Sequence, residues 1–600
     1  MAAVILFLIL AECNCEELQQ TDKAPRKVEI SDIRLGYGIG QSLARRGAWF
    51  PISFEVSNPT EKSYQGHLAL TGPALEHRQI AFYETRHVFE LSVPAETSKR
   101  FECYARALSG QSKDAFSRKK TKLELQIRSG LAPMMKVVEE IRTLTDEEIQ
   151  VLEVNRSGVP ILLGREYRYS DEERAEYITF GGKQVQRETI VPEETKVGWT
   201  ECATRVGDLP FRWVGYTSVD CVVWADGKMA DLAPAQLHAL MQFVQTGGTL
   251  IFFSGKDWSH GIGSVKEILP IESPTVHDLG SSVICTGQPR GGTLLLNVPG
   301  IGDRPMIYEM PYGMGTVSML AFSFDGKLGR SARTNRQLWT SLLAPSGLLC
   351  RKDPGTGHNR NIESAFRKHQ RLNIPQRGTI GWFLGIYVFL LVPANYALFK
   401  LLRRTIYAWC LCPVLAVVFT VGAYRYDSLS GEDVRMQLRS VVHIAPDSEV
   451  VEIISYMSIF SAYTRAYQVE VEGSDFAFSA LELKAGIQDE FSNPDILYQA
   501  KTEKLNINGQ GAGVISNLKI GARSRRTVVG TGILPVRARI REAFEQCRPK
   551  RGTFPGPGAF GTNAETRVYD GPFLPVLVNG KKIVPESEQT LFFVRGPQNR

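Results

Sequence analysis

At 600 residues the chain has room for about three or four domains, and an apolar share of 43% is enough to build real cores. Its formal net charge of +7 is scattered in short clusters such as Arg118-Lys119-Lys120, with no long basic run interleaved with aromatics, so a nucleic-acid groove is not indicated. None of the ten cysteines forms a Cys-x-x-Cys pair, which leaves a zinc or thioredoxin-like site without support; neither metal nor cofactor is expected.

The chain opens with a short apolar run, residues 2–11, followed by a polar stretch. The run is too short to span a bilayer comfortably and has the outline of a secretory signal core, so residues 1–20 are expected to be a signal peptide-like segment. Leu10-Ala11-Glu12-Cys13 has the outline of a lipoprotein box, but Glu12 is a poor residue before the cysteine.

Residues 27–130 read as all-β. Runs at 28–35, 49–57, 64–71, 87–93, 98–105 and 122–127 alternate partially and are separated by turn signals such as Asn58-Pro59 and Gly72-Pro73. That spacing predicts an immunoglobulin-like β-sandwich. Gly36-Tyr37-Gly38-Ile39-Gly40 lacks the Gly-x-Gly-x-x-Gly spacing and opens no helix, so it reads as a loop and not a nucleotide cradle.

Residues 131–350 change to an α/β pattern. Residues 219–224 form an apolar strand. Residues 233–245 follow with Leu237, Leu240, Met241 and Val244 at helical spacing. Gly247-Gly248 then turns the chain into a second apolar strand, 249–253. Asp231 is the expected N-cap. Strand, helix and strand with short connections predict a βαβ unit of a parallel sheet. Residues 313–322 are expected to add another strand, and 339–343 a closing helix.

Ligands of parallel sheets sit outside the carboxyl ends of the strands. Asp226 follows one such strand, and Ser254, Lys256, Asp257 and His260 follow another, so these five are the candidate ligand-binding residues. The competing reading is polar loop residues that cap helices. A Walker loop fails here, because Leu250 stands where the first glycine belongs and Asp257 replaces Ser or Thr.

Residues 378–425 predict a transmembrane hairpin. Segments 380–399 and 406–424 are each about 20 residues and carry no charge, the length a helix needs to cross a hydrocarbon core of about 30 Å. They are joined by Lys400-Leu401-Leu402-Arg403-Arg404-Thr405. Trp382, Tyr387, Tyr407, Trp409 and Tyr424 lie mostly toward segment ends, as interfacial rings do. Pro393 and Asn395 fall inside the first segment and are expected to serve intramembrane packing, with Asn395 bonding across to the second helix. Arg403 and Arg404 in the link favour a cytoplasmic link, but Arg367, Lys368, Arg371 and Arg377 flank the other end. Export of the N-terminal segment breaks the tie and puts the large domains outside. Residues 430–600 are expected to form a β-rich C-terminal domain, with strands at 438–444, 449–454, 466–471, 568–578, 581–584 and 590–594.

The run Leu209-Pro210, Gly215-Tyr216, Val219-Asp220, Leu237, Phe243-Val244 and Gly247-Gly248-Thr249-Leu250 resembles the glutamine-amidotransferase-like, flavodoxin-like domain of uncharacterised bacterial membrane-anchored proteins. Leu391-Val392-Pro393-Ala394-Asn395-Tyr396, with Leu402-Arg403-Arg404, looks like the same group's Gly-Pro-x-Asn-Tyr and Leu-x-x-Arg pattern, with Val392 where glycine is usual. By architecture the resemblance runs from about Val28 to Tyr467. It implies a fold and a location in the cell envelope, at the inner membrane, and little chemistry.

Amidotransferase catalysis needs a nucleophile on a sharp strand-to-helix elbow with a histidine nearby. No Gly-x-Cys-x-Gly or Gly-x-Ser-x-Gly occurs. The closest approach, Phe253-Ser254-Gly255-Lys256, lacks the first glycine, and Cys221 lies inside a strand. The expectation is therefore a non-catalytic envelope scaffold, sensor or binding protein that contacts the lipid bilayer and other envelope or membrane proteins. The alternative is an envelope hydrolase or transferase with a non-standard site near Ser254 and His260.

Overall fold

The computed structural model describes residues between 28 and 343, 377 and 430, and 434 and 594. It omits intervening stretches, of which the longest are 72–84, 107–119, 187–197, 255–267, 481–504 and 550–564. The signal-like residues 1–20 lie outside the described residues. The described chain is β-rich, with few helices and several sheets.

The N-terminal strands form as their alternation predicts. In Trp49–Asn58 the residues Ile52, Phe54 and Val56 are buried while Ser53, Glu55 and Ser57 lie nearer solvent, the period of two that a one-sided strand requires. Trp49–Asn58 sits between Glu29–Leu35 and Thr97–Arg106 in an antiparallel three-stranded sheet. Its inner face meets Leu68, Phe89, Leu91 and Val93 of a second sheet. Each such side chain, fully buried, contributes about 1.5–3 kcal/mol.

That second sheet reaches across the sequence. Its ten strands begin Leu43–Arg45, Ala132–Leu144, Lys120–Ser129, Tyr64–Thr71, Thr85–Val93. They continue Leu505–Asn508, Val514–Ile520, Arg465–Val471, Val576–Val578, Lys581–Ile583. Thr85–Val93 pairs in parallel with Leu505–Asn508, so strands from before and after the apolar hairpin share one sheet. The expected boundary at 130/131 falls inside the hairpin formed by Lys120–Ser129 and Ala132–Leu144, and the parallel sheet begins only at Glu148–Val154.

The C-terminal strands also pack in two layers. A seven-stranded sheet centred on Val434–Ile444 and Val450–Ser461 sets Met436, Leu438, Ile453 and Met457 against Tyr467, Val469, Leu518 and Val576 of the ten-stranded sheet. The expected single strand 568–578 is two. Glu565–Asp570 belongs to the seven-stranded sheet and Val576–Val578 to the ten-stranded one, because Gly571-Pro572 interrupts the run.

A separate eight-stranded sheet is largely parallel. Gly198–Thr204, Glu148–Val154, Cys221–Trp224, Thr249–Phe253 and Gly315–Leu320 are parallel neighbours in that order, with antiparallel strands added at both edges. The expected βαβ unit and the added strand are present. Burial of every residue of Cys221–Trp224, Thr249–Phe253 and Gly315–Leu320 explains their continuous apolar sequence. Asp231 is not the N-cap. The helix is Pro234–Gln245, capped at Ala233, whose amide donates to Gln236 Oε1 at 3.1 Å, and Asp231 ends a preceding 3-10 turn. Proline's fixed φ and missing N–H favour the first helical position, and that displaced the start. Gly247 at φ +112 ends the helix, and a Cβ on Gly248 would meet the Phe243 ring at 2.3 Å. In the expected closing helix, the Trp339 indole is buried and donates to Ala332 O at 3.0 Å.

One cluster ties the three parts together. Trp49 and Tyr104 from the N-terminal strands, Trp213 and Val214 from a 3-10 segment, Trp213–Ser218, and Ile533 from the C-terminal sheet pack as a single apolar group.

The hairpin projects with its apolar surface exposed. Arg377–Phe389, a π-helical turn Leu390–Ala394 and Asn395–Leu401 run on as one helix, and Ala408–Ser430 returns. Arg403 takes a positive φ of 54° at the turn between them. Residues Gly381–Leu401, with mean hydropathy 1.7, are long and apolar enough to cross a membrane, and only 6% of that stretch is buried.

Candidate functional site

The carboxyl edge of the parallel sheet is where the candidates were expected, and its strand order gives that edge a definite centre. Glu148–Val154 comes first in the chain, yet Gly198–Thr204 lies on one side of it and Cys221–Trp224 on the other. The connections leaving these two central strands therefore diverge: one runs outward to Gly198–Thr204, the other outward to Thr249–Phe253. A crevice opens between strands whose connections part in this way.

Three residues follow the carboxyl ends of these strands. Val154 pairs with Trp224 and Trp224 with Phe252, and Arg156, Asp226 and Ser254 each follow two residues after these paired positions. Arg156 Nε meets Asp226 Oδ1 at 3.3 Å, with side chains 65% and 30% exposed. An ion pair so open to water is worth little to stability. Ser254 is 1% exposed; its amide donates to Leu320 O at 2.9 Å, but its hydroxyl has no hydrogen-bond partner.

Just before this edge lies a carboxylate that the sequence reading did not single out. Glu153 is fully buried between Ala203 and Val223; its oxygens accept from Asn155 Nδ2 at 2.7 Å and from the Ile161 amide at 2.8 Å. Asn155 Oδ1 in turn accepts from Ser157 Oγ at 2.9 Å, so the turn that carries Arg156 is held from below. The available signal was an acidic residue inside the otherwise apolar run Ile149–Val154.

Asp226 and Ser254 thus both follow strands at the carboxyl edge. Lys256, Asp257 and His260 lie outside the described residues. Ser254 is not placed as an exposed nucleophile, and burial pushes the Cys221 thiol well above its ordinary value, away from the reactive thiolate. Among the described residues no group of three or more His, Cys, Asp or Glu side chains could hold a metal ion.

At the opposite, amino edge lies a second buried charge. Arg45 donates through Nη1 to Asp220 Oδ1 at 2.6 Å and through Nη2 to Oδ2, with side chains 2% and 3% exposed. Asp220 Oδ2 also accepts from the Gln150 amide at 2.8 Å. Near this edge the run that carries the amidotransferase-like resemblance does structural work. Tyr37 Oη donates to Gly215 O at 2.6 Å, Tyr216 packs on Phe243, and a Cβ on Gly215 would stand 2.7 Å from Pro210 and 2.8 Å from Tyr104.

In the hairpin, Asn395 is buried among exposed neighbours. Its Nδ2 lies 3.5 Å from Cys412 Sγ of the second helix and 3.4 Å from Leu391 O, a carbonyl beside Pro393 in the π-helical turn. Phe419 packs between Phe383 and Tyr387 across the same seam.

No family model matches the chain, and no curated protein matches it. Solved structures with partial likeness include the Pseudomonas fluorescens alkylpurine DNA glycosylase AlkC, 9% identical over 20% of this chain and 32% of that one, TM-score 0.15. They also include a β-galactosidase from Bacillus circulans sp. alkalophilus, 10% identical over 55% and 34%, TM-score 0.17. A Niemann-Pick type C2 protein from the Japanese carpenter ant is 7% identical over 20% and 90%, TM-score 0.13. The chain spans about a third of the first two. Scores this low carry no argument about fold or activity.

Proposed function

We propose that the chain is a membrane-anchored protein of the cell envelope. Its β-rich body is held outside the cytoplasmic membrane and serves as a non-catalytic scaffold, sensor or binding protein, built on an immunoglobulin-like sandwich and a degenerate amidotransferase-like domain. One observation carries this reading. Residues before and after the apolar hairpin pair in a single sheet, through Thr85–Val93 and Leu505–Asn508. Two flanks joined by backbone hydrogen bonds lie on one side of a bilayer, so the number of crossings between them is even. The exposed helix Gly381–Leu401 supplies one crossing. Ala408–Ser430, apolar over Trp409–Gly422 and packed back along the first helix through Asn395–Cys412 and Phe383–Phe419, is read as the return. Lys400 and Arg403 then face the cytoplasm, as the positive-inside rule prefers.

A binding role is preferred to a hydrolytic one because Ser254, the candidate nucleophile the sequence offered among the described residues of this edge, is buried. Protease added to right-side-out spheroplasts is expected to degrade the body and leave a protected hairpin fragment, while the intact protein stays in the membrane pellet after carbonate extraction. A body protected until the membrane is opened, or a protein released by carbonate, overturns the reading.

A further inference from the structure

We propose that Tyr463, Arg465 and the neighbouring Lys519 form a surface that rests on the bilayer and binds anionic lipid headgroups, so that the body touches the membrane as well as being tethered to it. The inference rests on reading the apolar hairpin as membrane-crossing. It holds whichever side of the membrane the body occupies.

The position follows from chain connection and strand register. The second helix of the hairpin is apolar over Trp409–Gly422 and ends at Ser430. The eight helical residues past Gly422 rise about 12 Å, and a headgroup layer is about 5–8 Å deep. Val434 opens the next strand four residues after Ser430, a reach of at most about 14 Å. The other end of that strand, Ile444, lies about 34 Å further along. The end that begins at Val434 is therefore the one tethered close to the lipid. Val434 pairs with Ser461, and Ser461 with Ser524, so the chain leaves Val450–Ser461 and enters Ser524–Pro535 at this same end. Arg465 pairs with Ile520 and Ala466 with Lys519, which sets the two stretches side by side.

The chemistry selects the partner. Tyr463 is 38% exposed, and the Arg465 guanidinium stands 5.5 Å from its ring centroid. A ring and a cation held together suit the headgroup level, where one end meets apolar chains and the other meets phosphate. Arg465 and Lys519 are both exposed. In sequence, 425–435, 461–469 and 514–527 hold seven Lys or Arg against three acids, Asp427, Glu432 and Asp433, so the surplus is positive. The surface is also preformed. Ser461 Oγ accepts from the Tyr463 amide at 3.3 Å and lies 2.6 Å from Tyr467 Oη, and the buried Arg526 donates to Lys519 O at 2.8 Å. Little ordering entropy is left to lose on contact.

The test places the full chain in nanodiscs of phosphatidylcholine alone and of a phosphatidylcholine–phosphatidylglycerol mixture, and reads amide hydrogen exchange over 463–466. Exchange there is expected to slow about fivefold or more in the anionic discs, and to return to the neutral-disc rate in high salt. Arg465→Gln and Lys519→Gln together are expected to abolish the difference. Their unfolding midpoint in detergent is expected to change little, because both side chains are exposed. Tyr463→Ser is expected to reduce the difference, and Arg290→Gln, which breaks an ion pair with Glu272 elsewhere, to leave it unchanged. The proposal is overturned if exchange is alike in both discs, or if the slowing survives the paired Arg465→Gln and Lys519→Gln change. A chain that does not enter the discs overturns the hairpin reading and this inference together. One that enters them and exchanges alike in both overturns this inference alone.

Discussion

Arg45 and Asp220, 175 residues apart, form a two-pronged ion pair sealed from water between the short strand Leu43–Arg45 and the amino edge of the parallel sheet. The same carboxylate accepts the Gln150 amide, so one side chain fixes the N-terminal strands to two strands of the sheet. Removing one member strands a charge in a low-dielectric interior. Arg45→Met or Asp220→Asn alone is expected to cost about 3–5 kcal/mol, and the double change to an apolar pair to recover most of it. Chemical denaturation of the detergent-solubilised variants checks this; equal losses in single and double variants would contradict it.

Trp213 is the centre of the cluster that joins all three parts of the body, and it has no exposed surface. Trp213→Ala is expected to cost about 3–5 kcal/mol by leaving a cavity. The loss should appear in limited proteolysis as early cuts that separate the N-terminal strands from the rest. Gly215→Ala, which forces a Cβ against Pro210 and Tyr104, is expected to act in the same direction by about 1–3 kcal/mol.

Glu102 sits at the same seam, accepting from Tyr104 Oη and from the Phe211 amide at 3.2 Å. Burial outweighs these donors and raises its pKa above the ordinary 4.5. The folded state therefore holds this proton more tightly than the unfolded chain does. The stability it contributes is fully present below about pH 4.5 and is lost as pH rises through the elevated value. Glu102→Gln is expected to flatten that part of the stability–pH curve, measured by unfolding midpoints across the range. A slope unchanged in the variant would assign it to another group.

Asn395 reaches Cys412 across the hairpin seam at 3.5 Å. Interhelical polar contacts in lipid are worth about 0.6–1.7 kcal/mol. Asn395→Leu is expected to weaken the hairpin by that order, read as a lower unfolding midpoint of the hairpin in mixed micelles, with carbonate resistance retained because the apolar length is unchanged.

The apolar pattern alone foretold the hairpin, the βαβ unit and the alternating N-terminal strands, because periods of 3.6 and 2 and uncharged runs of about 20 residues are local signals. The N-cap was expected two residues early, at Asp231 instead of Ala233, since Pro234 outweighed Asp231 as the local signal. Glu153 was passed over because a lone acidic residue in an apolar strand shows no partner in one dimension, and its partners Asn155 and Ile161 appear only when the turn is folded.

What the amino-acid order determined by itself is therefore the menu of segments: which stretches extend, which coil, which are apolar along their whole length. Strand order was beyond it. That Thr85–Val93 lies beside Leu505–Asn508, and that Arg156 meets Asp226, depend on contacts between residues far apart in the chain. Backbone hydrogen bonds are the same for every sequence, so nothing in either strand names its neighbour. The choice is made by the faces that must be buried together, and those exist only once the body has closed around them.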